Sequence, residues 1–319
     1  MRAISIQRFG DTPQLTELSA PEPGNGQVQV AIEAASTNPM DVAIAAGVLA
    51  TFGEYRFPLT LGMDGVGTVT ALGDGVTQFQ VGDRVFGQFW SQPLQYGTFA
   101  EVCVVQAEPA FGALMPVPGG LQNDVAAALP TAGMTAIGAL DHMGVDEGGT
   151  VLVIGATGGV GTFAVQAAAA RGIRVIATAP TQLADQVRKL GASEIILRDA
   201  EPLDQALRAL APEGVDAILD VVGDHSITSS VAGAVRDGGA LWSTAFGIDE
   251  QLQADGRIRT ANYQLDRKPE RLAELAKLAT SGIIRPVIGT TLSLEEAPLA
   301  LAAGIEVAGL RGKTVLHVR

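Results

Sequence analysis

The middle of the chain repeats one pattern, in which a short apolar segment precedes a segment with apolar residues at helical spacing. Residues 151–154 are wholly apolar, and residues 174–179, 194–197 and 215–222 repeat the apolar segment. Helical segments lie between these apolar segments, and glycines follow the first two of them, as expected at helix C-termini. This alternation predicts right-handed βαβ units around a parallel sheet, and therefore an α/β fold.

The first third of the chain has a different pattern, with short strands separated by glycine and proline. Residues 27–34 alternate polar and apolar positions, which is typical of a half-buried antiparallel strand. Residues 122–143 then become helical in spacing. Near the C-terminus, helices are predicted at residues 270–280 and 294–304, before a strand at residues 314–318. We expect this last strand to return and pair with the N-terminal β region.

A glycine-dense turn at residues 155–161 joins the first apolar strand to a helix. Ala156, Gly158 and Gly161 occupy the three positions of the dinucleotide fingerprint, with alanine in place of the first glycine. Glycines let the backbone approach a pyrophosphate, and N–H groups at the helix start bind its charge. A tight turn that only packs helix on strand is the alternative. The expected cofactor contacts here are Gly155, Ala156, Thr157, Gly158, Gly159, Val160 and Gly161.

The end of the second strand distinguishes between dinucleotides, because an acidic residue there would bind a free ribose 2′-hydroxyl. Ala179 occupies this position, so nothing repels a 2′-phosphate, and Thr178 and Thr181 could donate hydrogen bonds to it. We therefore expect NADPH, with NADH as the alternative. The basic residues available to the phosphate are Arg188, Lys189 and Arg198, each of which could equally be a solvated surface charge.

Composition narrows the class of protein further. The 319 residues are 47% hydrophobic, but no run approaches the ~20 apolar residues that span a bilayer, so we expect no membrane segment. A net charge of −13 argues against a nucleic-acid partner. The N-terminal segment lacks the apolar core of a signal peptide, and one cysteine, Cys103, excludes an intrachain disulfide. These features favour the cytoplasm.

Seven short motifs, in order, carry a resemblance that runs nearly from end to end. They are residues 38–41 (Asn-Pro-Met-Asp), 58–67, 81–85, 96–101, 129–136, 155–161 and 312–313. The chain resembles the medium-chain dehydrogenases/reductases, in their zinc-independent quinone oxidoreductase branch. The resemblance implies a GroES-like β-rich catalytic domain of residues 1–121 and 263–319. It also implies a Rossmann domain with a doubly wound parallel sheet at residues 122–262, and a cofactor in the cleft between them.

The resemblance and the ends of the predicted strands add further cofactor contacts. They are Thr131, Met134, Val222, Gly223, Phe246 and Gly247. By resemblance, the first two approach the nicotinamide from the linking helix. The others follow Rossmann strands, at the sheet edge where open α/β sheets bind ligands. Each could also be an ordinary core or turn residue.

A zinc site is not expected, because a catalytic zinc needs about three convergent ligands and a structural site commonly four thiolates. The chain has one cysteine, and His142, His225 and His317 show no ligand spacing. In the related zinc alcohol dehydrogenases, a cysteine lies in the segment that matches residues 38–41. Their His-Glu pair matches Met63 and Asp64 of this chain.

Without a metal, hydride transfer suits substrates whose reduced form needs only hydrogen-bond donors, namely quinones and α,β-unsaturated carbonyls. The resemblance places Asn38 and Asp41 beside the nicotinamide, although both residue types also favour helix caps and turns. Many relatives carry Tyr or Arg just after this motif, whereas residues 42–46 here are aliphatic. Tyr55 is the nearest phenol that could donate the proton; packing of Tyr55 and protonation by water is the alternative.

Three functions follow from these features. The first is an NADPH-dependent quinone or enone reductase acting on a small molecule. The second is an enoyl reductase that acts on a thioester intermediate of specialised metabolism, and the third is a non-catalytic NADPH-binding protein. Residues 240–244 are predicted to lie near the edge of the Rossmann sheet, where pairing across a two-fold axis would form a homodimer.

Overall fold

A computed structural model describes residues 1–110, 112–200, 202–254, 256–302 and 312–319. The strands are β1 (Arg2–Ile6), β2 (Gln14–Glu17), β3 (Gln27–Ser36), β4 (Leu59–Thr60), β5 (Asp64–Leu72), β6 (Arg84–Gln88), β7 (Val102–Gln106), β8 (Ala113–Pro116), β9 (Thr150–Ile154), β10 (Arg174–Ala179), β11 (Glu194–Leu197), β12 (Val215–Asp220), β13 (Val235–Ser243), β14 (Arg259–Asn262), β15 (Ile288–Ser293) and β16 (Lys313–His317). The α-helices are α1 (Pro39–Ala45), α2 (Asn123–Ala128), α3 (Pro130–Met143), α4 (Gly159–Ala170), α5 (Ala184–Lys189), α6 (Leu203–Leu210), α7 (His225–Ala232), α8 (Glu250–Ala254), α9 (Pro269–Thr280) and α10 (Ala297–Ala302).

The chain divides into two compact units. The first comprises residues 1–131, 267–282 and 286–319, and the second comprises residues 132–266 and 283–285. Within the described ranges, no helix has both the length and the apolar character needed to cross a membrane.

The first unit is built from two largely antiparallel sheets. A small sheet has the strand order β2-β1-β4, and a larger one has the order β15-β16-β3-β5-β6-β8, with β7 also paired to β3. The predicted alternation holds over residues 27–30 of the long strand β3, where the two glutamines are partly exposed and the two valines are buried. In residues 31–36 every side chain except that of Glu33 is buried. The last strand β16 pairs antiparallel with β3, so the predicted return of the C-terminus to the N-terminal β region is confirmed.

The first unit extends past residue 121, where the sequence places the domain boundary. Helix α2 packs against β3, β5 and β16 of this unit. In addition, the Ser36 hydroxyl donates a buried hydrogen bond of 2.8 Å to the carbonyl of Ala127. These contacts hold α2 to the β-rich unit, and the division falls after Thr131, inside α3.

The second unit contains one sheet with the order β11-β10-β9-β12-β13-β14, in which each strand runs parallel to its neighbours. Numbered within the unit, this is the order 3-2-1-4-5-6 of a dinucleotide-binding Rossmann fold. The apolar strands predicted from the sequence form its centre, where Leu152, Ile176 and Ile218 are buried. The predicted α/β class is confirmed.

Two expectations need correction in detail. The strand at residues 240–244 was expected near the sheet edge, but β13 pairs on both sides, with β12 and with β14. Its backbone groups are therefore used inside the sheet, and β14 is the outer strand among the described residues. The helix expected at residues 294–304 is a 3₁₀ turn (Leu294–Glu296) followed by α10, and residues 303 and 304 lie outside the described ranges.

Candidate functional site

In the first unit, Asn38 and Asp41 lie at the start of α1, whose first residue is Pro39. The Asp41 carboxylate accepts a 2.7 Å hydrogen bond from the backbone N–H of Asn38, and both residues are buried. Burial raises the pKa of Asp41 to about 7, with a smaller contribution from the neighbouring Asp64 carboxylate, against hydrogen bonds from backbone N–H groups. The capping role left open by the sequence is therefore real, but this cap is buried and close to other charges.

The side-chain amide of Asn38 lies between two oppositely charged groups. Lys313 Nζ donates to Asn38 Oδ1 over 2.7 Å, and Asn38 Nδ2 donates to Asp64 Oδ2 over 3.0 Å. A cation on the oxygen and a carboxylate on the nitrogen allow only one orientation of this amide. They also polarise it, because each charge strengthens the dipole of the group it contacts.

Asp64 is the centre of this network. Its Oδ1 accepts from the Thr131 hydroxyl over 2.6 Å, and its Oδ2 accepts from the Thr131 backbone N–H over 3.1 Å. Gln88 Nε2 in turn donates to the Thr131 hydroxyl over 2.7 Å. The predicted cofactor contact Thr131 thus joins the predicted catalytic Asn38 through a carboxylate, and we define Asn38, Asp64, Gln88, Thr131 and Lys313 as the buried polar network.

The network contains an ion pair that is almost wholly out of water. Lys313 Nζ lies 3.9 Å from Asp64 Oδ2, with side-chain exposures of 3% and 0%. Burial lowers the pKa of Lys313 and raises that of Asp64, while their mutual attraction opposes both shifts. Such a pair costs desolvation energy, so its geometry is better explained by a positioning role than by stability alone.

Tyr55, the predicted proton donor, belongs to a different set of contacts. Its hydroxyl donates to the carbonyl of Leu49 over 2.9 Å, and its ring packs edge-on against Phe9 with a 5.1 Å centroid separation. Partial burial raises the pKa of its phenol. Within the described residues, no hydrogen bond links Tyr55 to the buried polar network.

In the second unit, the glycine turn has the shape that a pyrophosphate needs. Gly155 has a φ of +87°, and a Cβ on Gly161 would meet the carbonyl oxygen of Gly155 at 2.2 Å, so both glycines are required by the backbone itself. A Cβ on Gly158 would make only an ordinary 3.6 Å contact with the protein. The absence of a side chain there leaves room in front of the first turn of α4, whose N–H groups have no intrahelical acceptors.

The residues that we expect to distinguish NADPH from NADH lie at the end of β10 or next to it. Thr178 is buried, and its hydroxyl accepts from the Gly155 backbone N–H over 3.0 Å, so it supports the glycine turn from behind. Ala179 is buried, whereas Thr181 is exposed. The exposed Arg198 lies next to this strand end, because its backbone N–H donates to the carbonyl of Ala179 over 3.2 Å.

Two loops that follow β12 and β13 carry the remaining predicted contacts of this unit. The buried Asp220 carboxylate accepts from the backbone N–H groups of Val222, at 2.9 Å, and Gly223, at 3.1 Å. The Ser243 hydroxyl accepts from the N–H of Gly247 over 2.8 Å. A Cβ on Gly155 would meet Val222 at 2.9 Å, so the first loop also adjoins the glycine turn.

Of four other predicted contacts, three are buried and one is exposed. Met134 is fully buried in α3, and Thr157 and Ala156 are buried at the glycine turn. Phe246 is 58% exposed and has a φ of +62°, which is uncommon for a residue with a side chain. It therefore stands out from the loop after β13, where a ligand can reach it.

Five residues at these sites were not predicted from the sequence to have a role there. They are Asp64, Gln88, Asp220, Ser243 and Lys313, of which Asp64 and Lys313 lie in the motifs that carry the resemblance. The available signal was a polar residue directly after an apolar run at the end of a strand, as with Asp220 after Ala217–Leu219 in β12. In the described part of the chain, no three potential ligands among His, Cys, Asp and Glu are grouped to hold a metal ion. Cys103 is buried, which raises the pKa of its thiol.

Family models match both units. Residues 24–119 match the alcohol dehydrogenase GroES-like domain, and residues 159–263 match the zinc-binding dehydrogenase model. Among solved structures, the quinone oxidoreductase from Coxiella burnetii has a TM-score of 0.89 and 29% identity, covering 100% of this chain and 99% of that one. A mycobacterial protein solved in complex with NADPH has a TM-score of 0.84 and 28% identity, covering 100% of both chains.

Curated relatives extend over most of the chain. The NAD(P)H oxidoreductase RTN4IP1, mitochondrial, from Mus musculus is 32% identical, over 92% of this chain and 82% of its own length. The quinone oxidoreductase of Rattus norvegicus is 30% identical, over 99% of this chain and 97% of its own. The mycoketide-CoA synthase of Mycobacterium tuberculosis is 33% identical over 87% of this chain, which corresponds to 7% of that much longer protein.

Proposed function

We propose that this chain uses NADPH to reduce quinones or α,β-unsaturated carbonyls without zinc. The chain belongs to the medium-chain dehydrogenase/reductase family and is an oxidoreductase of the quinone oxidoreductase type. The observation that carries the proposal is the Asn38 amide, held between Lys313 and Asp64. A polarised amide is a hydrogen-bond donor of fixed direction. Such a donor suits a substrate carbonyl whose oxygen gains negative charge during reduction.

The glycine turn of the second unit fits a dinucleotide, because its backbone leaves space at Gly158 and directs helix N–H groups toward it. NADPH, when bound, would supply the hydride. Residues 155–161 would hold its pyrophosphate, and Asp220 and Ser243 would fix the loops that carry Val222, Gly223, Phe246 and Gly247. The mycobacterial structure with NADPH and the NAD(P)H oxidoreductase relative support this choice of cofactor.

Preference for NADPH over NADH is supported by the surroundings of Ala179. The last residue of β10 is Ala179 and not a carboxylate. The exposed Arg198 lies beside it, because the Arg198 backbone N–H donates to the Ala179 carbonyl. A guanidinium is well suited to a phosphate, because its donors match two oxygens at once. Arg198 and the exposed Thr181 would therefore contact the 2′-phosphate.

A second candidate substrate is an enoyl thioester. The match to part of the mycoketide-CoA synthase, at 33% identity, favours this alternative. The chemistry at the conjugated carbonyl is the same as for an enone, so the buried polar network serves either substrate. The two differ in whether the enzyme requires the thioester and its carrier.

The proposal is tested by NADPH and NADH oxidation with 1,4-naphthoquinone, an aliphatic enone and a crotonyl thioester, alongside elemental analysis of the purified protein. Turnover of the quinone or enone, with NADPH preferred and no stoichiometric zinc, supports the proposal. Turnover of the thioester alone favours the second candidate. NADPH binding without turnover of any of the three contradicts both.

We further propose a homodimer, because β14 is the outer strand of the Rossmann sheet in the described residues and an unpaired strand edge favours pairing. Sedimentation of the NADPH-loaded protein at micromolar concentration tests this. A monomer mass would contradict it.

A further inference from the structure

Arg267 has a backbone conformation that is unfavourable for its residue type. Its φ is +44°, and Phe246 is the other non-glycine residue with positive φ in the described ranges. An L side chain in this region costs on the order of 1 kcal/mol, and such residues cluster at functional sites. The neighbouring contacts must therefore hold Arg267 in place.

Those contacts use only part of the guanidinium. Nε donates to Gln88 Oε1 over 3.0 Å, and the guanidinium carbon lies 5.1 Å from the centre of the Trp90 ring. Gln88 belongs to the buried polar network, so Arg267 is connected through Gln88 and Thr131 to Asp64. The side chain is thus fixed at one nitrogen and on one face.

The remaining donors of Arg267 have no acceptor in residues 1–110, 112–200, 202–254, 256–302 or 312–319. Throughout the described residues, no hydrogen bond or ion pair involves its Nη1 or Nη2, although the side chain is partly buried. Burial also lowers the pKa of this guanidinium, because desolvation disfavours its charged form. A partly buried cation with two unused nitrogen atoms is suited to an anionic ligand.

Two more donors without acceptors belong to the adjoining segment. Trp90 Nε1 and Ser91 Oγ are both buried and lack a hydrogen-bond partner in the part of the chain that is described. Most buried donors in folded proteins are paired, so two consecutive unpaired ones require an explanation. Arg267 stacks on the ring of Trp90, so these are further donors in its vicinity for which the described residues provide no acceptor.

We propose that Arg267, stacked on Trp90, binds the substrate oxygen that becomes negatively charged during reduction, and is therefore a catalytic residue. This inference rests on the proposed function. Hydride addition to the β-carbon of an enone moves the C=C electron pair toward the carbonyl oxygen. The guanidinium stabilises that oxyanion, and a proton from water then adds to the α-carbon. The cofactor is oxidised and the enone is reduced by the same two electrons.

This role answers a question raised by the sequence, where residues 42–46 lack the expected Tyr or Arg. Arg267 supplies the cation from a distant part of the chain, 179 positions after Gln88. It stabilises the anion without having to donate a proton, because a guanidinium stays protonated. Tyr55 is then not required as an acid.

The test measures binding directly, without turnover. The chain has two tryptophans, so Trp242→Phe leaves Trp90 as the single tryptophan. Quenching of its fluorescence by 2-hydroxy-1,4-naphthoquinone, an anion at neutral pH, reports binding beside Arg267. The neutral 1,4-naphthoquinone is the comparison ligand. Three variants are made in this background, namely Arg267→Gly, Arg267→Lys and the control Arg8→Met, whose side chain is 84% exposed.

Arg267→Gly removes the cation and relieves the positive φ, and binding of the neutral quinone and of NADPH reports whether the variant is folded. In Arg267→Gly, we expect the dissociation constant of the anionic quinone to rise about tenfold or more, and that of the neutral quinone to change by less than about threefold. Arg267→Lys should recover part of the affinity for the anion. The kcat for an enone should fall with little change in KM for NADPH. Unchanged selectivity between the two quinones in Arg267→Gly would overturn the inference. If the parent protein reduces neither quinone nor enone, the proposed function itself fails.

Discussion

The Ser243 hydroxyl donates to Asp220 Oδ2 over 2.6 Å, and its oxygen accepts from the backbone N–H groups of Ala245 and Gly247. Asp220 meanwhile accepts from the backbone of the loop after β12. One pair of side chains therefore fixes two loops on neighbouring strands. Both loops lie at the carboxyl ends of the sheet, where dinucleotides bind in this fold.

Replacement of Ser243 by alanine should weaken NADPH binding. The substitution leaves the N–H groups of Ala245 and Gly247 without their acceptor, so the loop that carries Phe246 loses its fixed conformation. We expect the dissociation constant for NADPH, measured by nicotinamide fluorescence, to rise about tenfold. Ser230→Ala is the control, because that exposed hydroxyl donates to the carbonyl of Ile227 in its own helix. An unchanged dissociation constant in Ser243→Ala would argue against this loop as a cofactor contact.

Lys313→Met should strongly destabilise the protein, because it leaves the buried Asp64 carboxylate without its cation. Removal of one partner of a buried pair typically costs about 3–5 kcal/mol. The double variant Lys313→Met/Asp64→Asn should recover part of this loss in urea unfolding, since Asp64 then no longer carries a buried charge. Its kcat should nevertheless stay low, because the Asn38 amide is no longer held by a cation and an anion. A double variant with full activity would show that the pair is merely structural. Lys277→Met, on an exposed face of α9, is the control.

Asp41 should make stability depend on pH. Its pKa is raised to about 7 in the folded protein from an ordinary value of 3.8. The folded state then binds more protons than the unfolded state between these values, so the free energy of unfolding falls as pH rises from about 4 to 7. Asp41→Asn keeps an acceptor for the Asn38 N–H and removes the charge. In urea titrations it should lack this decline, with a maximal difference on the order of 4 kcal/mol above pH 7. Parallel pH profiles for the two proteins would contradict the assignment.

Arg198→Gln should raise KM for NADPH while leaving KM for NADH nearly unchanged. The reason is that the guanidinium is expected to contact the 2′-phosphate, which NADH lacks. We expect about a tenfold change for NADPH in initial-rate assays. Arg188→Gln serves as the control, because Arg188 is paired with Asp185 at 2.8 Å. An equal rise in KM for NADPH and NADH would show that Arg198 does not contact the 2′-phosphate.

Tyr55→Phe should retain turnover within a few-fold of the parent protein, because its hydroxyl is bonded to the Leu49 carbonyl. A general acid typically contributes about 10²- to 10⁴-fold to rate. If turnover of an enone in steady-state assays fell by that factor, Tyr55 would be the proton donor and water would not.

Local patterns were sufficient to predict the Rossmann sheet and the glycine turn, because periodicity and glycine positions are properties of adjacent residues. The buried polar network could not be predicted in this way. Lys313 and Asn38 are 275 positions apart, and each looks like an ordinary polar residue in its own segment. The search for a donor near residues 42–46 led to Tyr55, whereas Arg267 reaches the network from another part of the chain. Pairings between distant segments leave no periodic trace in a single sequence.

The position of Lys313 in the chain has a consequence for synthesis. A ribosome produces Asn38, Asp41 and Asp64 early, and the whole second unit follows before β16 is made. During that interval the cation that compensates Asp64 does not yet exist, and the edge of β3 that β16 covers is open. The first unit to begin is therefore the last to be completed. Nascent chains should acquire protease resistance in the second unit before the first.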